Sequence, residues 1–146
     1  MQGVIILAIA LPIIFANTLS GPTFSLLNLA GFVLWIIGFY YEVRADSELD
    51  HFLKHRHPVN RILQTGLWKN SRHPNYFGEA LMWWGMLLII VGLPYWYIAL
   101  LSPILITYLL RFVSGVPLLE NRFKHDEDYQ EYARKTNIFI PWFRAR

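Results

Sequence analysis

The chain has 146 residues, of which 55% are hydrophobic, 16% aromatic and 16% charged, with a net charge of +3 and no cysteine. An ordinary soluble domain is about 25% charged, so the low charge and high hydrophobic fraction exclude a disordered chain and a soluble nucleic-acid binder. The absence of cysteine excludes a secreted disulfide scaffold. A length near 150 residues fits one domain. The charged residues all lie in 42–79 and 111–146, and none lies in 1–41 or 80–110.

The two charge-free blocks are long enough for four membrane crossings, because about 20 apolar residues span a bilayer as a helix. Turn-forming residues divide the blocks near 17–22 and 92–97. The first segment lacks the basic start of a signal peptide, so we expect an uncleaved helix there. The sequence therefore predicts an all-α polytopic membrane bundle with about four transmembrane helices, near 2–16, 24–41, 75–91 and 97–112.

The positions of Lys and Arg predict the orientation of this bundle. All 13 of them lie in 42–74 or from Arg111 onward, and none lies in the two short turns. With four crossings, the N-terminus shares one side of the membrane with 42–74 and 113–146. The positive-inside rule assigns that side to the cytoplasm, so we expect a multi-pass protein with both termini cytoplasmic.

Two cytoplasmic segments carry patterns of their own. Glu42, Asp46 and Asp50 recur every four residues, which predicts that the second helix continues beyond the membrane. In 118–135, aromatic residues alternate with charged ones. This predicts a C-terminal amphipathic helix at the membrane interface, with an apolar anchor at 138–143.

The strongest local motif is Asn-Ser-Arg-His-Pro-Asn-Tyr-Phe-Gly-Glu at 70–79. Pro74 suits the first turn of a helix, where its missing N–H is not needed. The free N–H groups and positive dipole end of that helix favour an anion, and Arg72 and His73 lie beside them. The motif predicts a site for a phosphate or carboxylate; a capped helix with interfacial basic residues is the alternative.

Glu79 lies about one turn inside this helix and is followed by 31 uncharged residues. Asn75 and Tyr76 share its helix face. A carboxylate inside a membrane is costly, and it marks a functional site by default. Its structural alternative is an ion pair with Arg111 or Arg72.

Further side chains complete the predicted site. Arg61 offers a guanidinium fork for a phosphate, while Glu42 and Asp46 offer acceptors for ribose or amide groups or else form a solvated face. Four residues beyond the fourth helix are expected to close over the site as a lid that excludes water: Glu120, Arg122, Tyr129 and Tyr132. His51 and His55 have metal-ligand spacing but no accompanying general base, so no metal site is predicted.

The segment 65–85, Thr-Gly-Leu-Trp-Lys-Asn-Ser-Arg-His-Pro-Asn-Tyr-Phe-Gly-Glu-Ala-Leu-Met-Trp-Trp-Gly, resembles the signature of a bacterial membrane family known as domain of unknown function 1295. That family is similar to the C-terminal domain of steroid 5-alpha reductases. Residues 110–120 and 132–142 resemble its two later blocks, so the resemblance covers nearly the whole chain. It implies a protein of the bacterial inner membrane.

The resemblance implies a reductase that uses NADPH on a carbon–carbon double bond conjugated to a carbonyl, in a lipophilic substrate. Glu79 matches a Glu that polarises the substrate carbonyl. Tyr76, which shares the helix face of Glu79, is predicted as a second catalytic residue. The remaining site residues are assigned to the cofactor, with Glu120 and Arg122 placed by position alone: Arg61, Arg72, His73, Asn75, Asp46, Glu42, Glu120, Arg122, Tyr129 and Tyr132.

Two alternatives to the reductase follow from the same resemblance. The turn Arg-His-Pro-x-Tyr-x-Gly at 72–78 is similar to that of isoprenylcysteine carboxyl methyltransferases and phospholipid methyltransferases, which implies S-adenosylmethionine and methyl transfer to a lipid-like substrate. Family members also carry further helices before the point where this chain begins, and these supply part of the substrate pocket. The chain would then hold most of the cofactor half, or act as a truncated, non-catalytic membrane protein. The sequence does not determine its oligomeric state.

Overall fold

A computed structural model describes residues 2–19, 24–55 and 62–142 of the chain. The described residues form α-helices joined in part by short turns of other helix types. A 3₁₀ turn at Gly66–Lys69 precedes the third α-helix, and another at Trp96–Leu100 precedes the fourth. The fourth α-helix continues into a π-helical turn at Leu109–Val113. None of the described residues forms a strand, so the all-α prediction is confirmed. The helices are α1 (Gln2–Thr18), α2 (Leu26–His55), α3 (Pro74–Ile89), α4 (Leu101–Tyr108), α5 (Val116–Arg122) and α6 (Glu127–Lys135).

Within the described ranges, two helical segments are long and apolar enough to cross a membrane, Leu26–His55 and Trp96–Arg122. Helix α1 is apolar with 17 residues, and α3 has 16. The prediction that the second helix extends beyond residue 41 is confirmed, because α2 runs without a break to His55. That extension carries the acidic side chains to the same end of the molecule as the start of α3.

Helices α2 and α3 pack against each other through two glycine pairs. A Cβ on Gly31 would lie 2.7 Å from the carbonyl oxygen of Gly85, and one on Gly38 would lie 2.7 Å from that of Gly78. The glycines are seven residues apart on each helix, and the order of the pairs makes the two helices antiparallel. The absence of side chains here lets the two backbones come into direct contact, as small residues do at membrane helix interfaces.

Polar side chains satisfy backbone carbonyls between the helices. The Asn28 amide donates to the carbonyl oxygens of Leu88, Ile89 and Val91 at 3.3, 2.8 and 3.1 Å. It therefore ties α2 to the end of α3, where carbonyls lack helical partners. On the other side of α3, α4 packs against α3 and α1, and Ser102 donates to the carbonyl oxygen of Ile9 at 2.5 Å.

The C-terminal part differs from the single amphipathic helix expected at 118–135. It forms two helices, because the chain turns at 123–126 and the Asp126 side chain accepts a hydrogen bond from the Tyr129 N–H at 3.0 Å, capping α6. The segment 116–140, called here the C-terminal strap, returns to the helix bundle. Phe139 is buried in the core with Ala80, whereas Ile140, in the predicted anchor, is exposed.

Candidate functional site

The chain approaches α3 through a 3₁₀ turn that is fixed to α2. Gly66 begins the turn with a φ of 59°, in the left-handed region that glycine tolerates best. The Glu48 carboxylate accepts the Leu67 N–H at 2.9 Å, and the Trp68 indole N–H donates to the Ala45 carbonyl oxygen at 3.1 Å. These two contacts set where the Arg72-His73 pair stands relative to α2.

The C-terminal strap is bonded to the residues just before α3. The Ser71 hydroxyl donates to the carbonyl oxygen of Phe139 at 2.7 Å, and the Arg72 N–H donates to that of Asn137 at 2.8 Å. The Tyr132 hydroxyl donates to the Trp68 carbonyl oxygen at 2.5 Å. Sequence reasoning missed Ser71 and Asn137. Ser71 could have been found as a small polar residue directly before Arg-His-Pro, whereas the sequence around Asn137 carries no such signal.

One carboxylate joins the strap to the basic pair at the start of α3. The Arg72 Nη1 donates to Glu120 Oε2 at 2.8 Å, and His73 Nε2 lies 3.0 Å from Glu120 Oε1. The Tyr129 hydroxyl donates to the same Oε1 at 2.7 Å. The structure therefore brings together four of the predicted site residues, and Tyr132 lies beside them on α6 with its ring against that of Tyr129.

This group, called here the Glu120 network, is largely closed to solvent. His73 and Tyr129 are 2% and 6% exposed. Burial by itself would raise the pKa of Glu120, but the hydrogen bonds from His73 and Tyr129 and the charge of Arg72 outweigh it and hold that pKa below its ordinary value. Burial, followed by the hydrogen bond to Glu120, raises the pKa of the Tyr129 phenol. Glu120 is therefore a charged acceptor and Tyr129 a neutral donor.

The predicted acidic residues meet on the other side of the α3 start. The Asn75 amide donates to Asp46 Oδ1 at 2.9 Å, which bridges α3 and α2. Glu42, Asp46 and Glu79 lie close enough for their charges to interact. Tyr76 links the two sides, since its ring stacks on that of His73 with 5.7 Å between centroids and 7° between planes.

The ion pair considered as an alternative role for Glu79 is not formed. Arg72 pairs with Glu120, and the Arg111 guanidinium lies 4.9 Å from the ring centroid of Phe112. Among the described residues, no ion pair includes Glu79. No cation among the described residues therefore neutralises its carboxylate.

Other residues considered in the sequence either lie apart from these groups or fall outside the described part of the chain. Arg122 is exposed, and its guanidinium lies 5.8 Å from the ring centroid of Phe123. Arg61 falls outside the described residues. The His51 and His55 rings stack at 4.3 Å on the exposed end of α2. In the described part of the chain, no cluster of three or more His, Asp or Glu residues could hold a metal ion.

Three buried polar atoms at the site have no hydrogen-bond partner among the described residues: Glu42 Oε2, Arg72 Nε and His73 Nδ1. Buried polar groups are nearly always bonded, so unpaired ones in one region call for an explanation. Two of these atoms belong to side chains that Glu120 holds at another atom. The arrangement offers an acceptor on the α2 side and a donor on the strap side of the same helix start.

Comparisons with known proteins show which curated proteins the chain is similar to. The chain is 27% identical to bovine (Bos taurus) 3-oxo-5-alpha-steroid 4-dehydrogenase 1 over 85% of its own length and 44% of the relative's. It is 29% identical to the Rattus norvegicus protein of that name over 78% and 41%. It is 37% identical to steroid 5-alpha-reductase DET2 of Gossypium hirsutum over 39% and 22%.

The chain spans less than half the length of these curated relatives. No solved structure gives a significant match. The profile of the family described as "Protein of unknown function (DUF1295)" matches residues 1–136, which include the α3 start, the Glu120 network and nearly all of the strap. The chain therefore belongs to the DUF1295 family.

Proposed function

We propose that the protein is an NADPH-dependent membrane reductase of a conjugated carbon–carbon double bond in a lipophilic, steroid- or isoprenoid-like substrate. The observation that carries the proposal is the start of α3, where a basic pair and four carboxylates flank one helix end. The similarity to proteins named as steroid 5-alpha-reductases supports it. The activity of those longer relatives is extended to this chain only as part of the proposal.

The membrane arrangement is part of the same proposal. Helices α1 and α3 are shorter than the two segments that could span a bilayer by length and composition, but they share the same bundle. Four crossings would place Lys and Arg on one side and Glu79 just inside the membrane. The large apolar side chains exposed on α1 and α2 would then face lipid, from which a lipophilic substrate enters.

The residues present fit a dinucleotide phosphate. Its anionic groups suit Arg72 and the positive dipole end at the start of α3, and its hydroxyl and amide groups suit the unpaired Glu42 oxygen and the Asp46 carboxylate. His73, Asn75, Tyr129 and Tyr132 would shape and close the site. When bound, NADPH supplies the hydride; Arg61 and Arg122 are proposed as further contacts.

Glu79 and Tyr76 are the proposed catalytic residues. As carbon–carbon reduction proceeds, negative charge builds on the carbonyl oxygen of the substrate. A protonated Glu79 would donate a hydrogen bond to that oxygen and stabilise it in the transition state. Tyr76, one turn earlier and stacked on His73, would hold the adjacent wall, and the strap would exclude water from the reacting atoms.

The choice of cofactor is tested by titrating the full chain, purified in detergent, with NADPH and with S-adenosylmethionine. Saturable binding of NADPH alone is the expected result. Binding of S-adenosylmethionine alone would overturn the reductase and favour methyl transfer. If neither molecule binds, the non-catalytic alternative replaces both enzymes.

A further inference from the structure

We propose that Glu120 is the positioning residue of the site: it stands behind Arg72 and His73 and fixes both side chains, and it does not itself contact the cofactor. The inference rests on the proposed function for the identity of the ligand. It assigns to Glu120 a role different from the lid contact expected from its position in the sequence, and it makes the strap a supporting wall of the α3 start.

The geometry of the carboxylate carries this inference. An ionised carboxylate is acceptor-only, with about four lone-pair sites. Glu120 uses Oε2 for Arg72, and it uses Oε1 for both His73 and Tyr129. With three donors already in place and the side chain three-quarters buried, at 23% exposed, little of it remains for a ligand. Its remaining influence acts through the two basic residues.

The contact with His73 sets which ring nitrogen carries a proton. Because the carboxylate only accepts, the nitrogen that faces it, Nε2, must be the donor. The other nitrogen, Nδ1, does not face Glu120, and it is buried without a partner among the described residues. The protonation of one imidazole nitrogen is set by the bond that the other makes. The bond to Glu120 therefore sets the protonation with which Nδ1 would meet the ligand.

Arg72 follows the same pattern. Glu120 holds one terminal nitrogen of its guanidinium, Nη1, while the buried Nε has no partner in the described part of the chain. A planar guanidinium that is bonded at one corner and only 11% exposed has few orientations available to it. Two neighbouring side chains, each anchored by the same carboxylate and each with one unpaired buried atom, form a prepared polar wall. Tyr129 keeps the carboxylate itself from rotating.

The experiment compares Glu120→Gln with wild type and with Glu127→Gln, a matched change on the exposed face of α6. Ring nitrogens are followed by ¹⁵N NMR in histidine-labelled protein, with the His73 signals assigned by His73→Gln. NADPH affinity is measured on the same samples. We expect protonated Nε2 in the wild type, loss of that single state in Glu120→Gln, and NADPH affinity lower by roughly tenfold, the loss of one hydrogen bond to a charged group.

If Glu120→Gln does not fold, Tyr129→Phe provides a second test of the positioning role of Glu120. It removes one of the three donors but retains the ring that stacks on Phe123, and we expect NADPH affinity to fall by a few-fold with partial loss of the single Nε2 state. Glu127→Gln should leave both readouts as in the wild type. An equal effect of Glu127→Gln would mean that charge alone matters and would overturn the proposal.

Two results separate this inference from the proposed function. Wild-type protein that binds no NADPH would overturn the proposed function, while the NMR comparison would still decide whether Glu120 sets the state of His73. An unprotonated Nε2 in the wild type, or a Glu120→Gln variant that keeps both the single Nε2 state and full NADPH affinity, would overturn the positioning role whatever ligand the protein binds.

Discussion

Arg72 Nη1 and Glu120 Oε2 lie 2.8 Å apart although 48 residues separate them in the chain. Removing one member of a buried ion pair leaves the other uncompensated, so this contact makes the position of the strap depend on the start of α3. Further hydrogen bonds to Glu120 from His73 and Tyr129 stabilise the charge. The site and the strap are therefore expected to form, and to come apart, together.

Gly78→Ala tests the close contact of α2 and α3. A Cβ there would lie 2.6 Å from the Gly38 carbonyl oxygen, and backbone cannot yield as a side chain can. We expect a loss of about 1–3 kcal/mol in unfolding free energy, the usual cost of overpacking, measured by chemical unfolding in detergent.

Gly3→Ala is the matched control for that variant, because nothing lies within 4 Å of its added Cβ. Alanine has the higher helix propensity by about 0.8–1 kcal/mol, so this change should be neutral or stabilising. Stabilisation by Gly78→Ala to the same extent would show that the two helices are not in backbone contact.

Asn28→Leu tests the amide that serves three carbonyls at the end of α3. When these carbonyl oxygens lose their donor in an apolar setting, the unfolding free energy should fall by about 1–3 kcal/mol. We expect to observe this as a lower midpoint of thermal unfolding. Asn17→Leu is the control, since exposed Asn17 donates to Ile13 within its own helix and, among the described residues, to no carbonyl of another helix. Equal shifts for the two variants would contradict the bridging role of Asn28.

Glu79→Gln tests the proposed catalytic carboxyl. We expect enone-dependent oxidation of NADPH to slow by roughly 100-fold, as when one donor to a developing oxyanion is lost, with NADPH affinity within a few-fold of wild type. Asp50→Asn, at an exposed ion pair with Lys54, should retain activity. Loss of cofactor binding in parallel with turnover would assign Glu79 to binding instead.

The strap should detach at alkaline pH. Burial raises the pKa of the Tyr129 and Tyr132 phenols, so the folded state holds these protons more tightly than the unfolded chain does. Their contribution is therefore complete below the unfolded phenol pKa of about 10 and is lost as the pH rises beyond it. Unfolding midpoints measured across that range should fall, with a shallower slope in Tyr132→Phe. Identical slopes would exclude Tyr132 as a cause.

Acid should release the same contact through Glu120. The pKa of that carboxyl is lowered in the folded state, so its contribution is present above the unfolded value of about 4.3 and is lost as the pH falls through the folded value. Limited proteolysis of the strap, followed from neutral to acid pH, measures the release. Cleavage that is independent of pH in this range would contradict the assignment.

The sequence predicted features that depend on local chemistry. Pro74 correctly marked the start of α3, because the first turn of a helix does not need the N–H that proline lacks, and the acidic period from Glu42 to Asp50 correctly extended α2. The expected approach of Glu120, Tyr129 and Tyr132 to Arg72 is present in the structure, although their roles toward a cofactor remain predictions.

Other features required knowledge of distant partners. Gly31 and Gly38 are visible in the sequence, but nothing local tells which helix they meet or in which register. The break between α5 and α6 depends on the Asp126 cap, which was hidden in a charged run expected to be helical. Glu79 was considered as an ion-pair partner of Arg72, but the structure pairs Arg72 with Glu120. This pairing depends on how the strap packs back against the start of α3.

The seven-residue interval of the α2–α3 contacts has a consequence at a distance. Ala45, seven residues beyond Gly38, is fully buried as well, and its carbonyl oxygen accepts the Trp68 indole N–H, so the buried stripe of α2 continues beyond the start of α3 to the 3₁₀ turn. A seven-residue spacing is typical of helices that wind around each other with a left-handed twist. From Gly31 to Asp46 helix α2 rises about 22 Å. The geometry with which Asp46 meets Asn75 is therefore set partly at Gly31. Substitutions deep in the apolar region are expected to change the hydrogen bond between these two side chains.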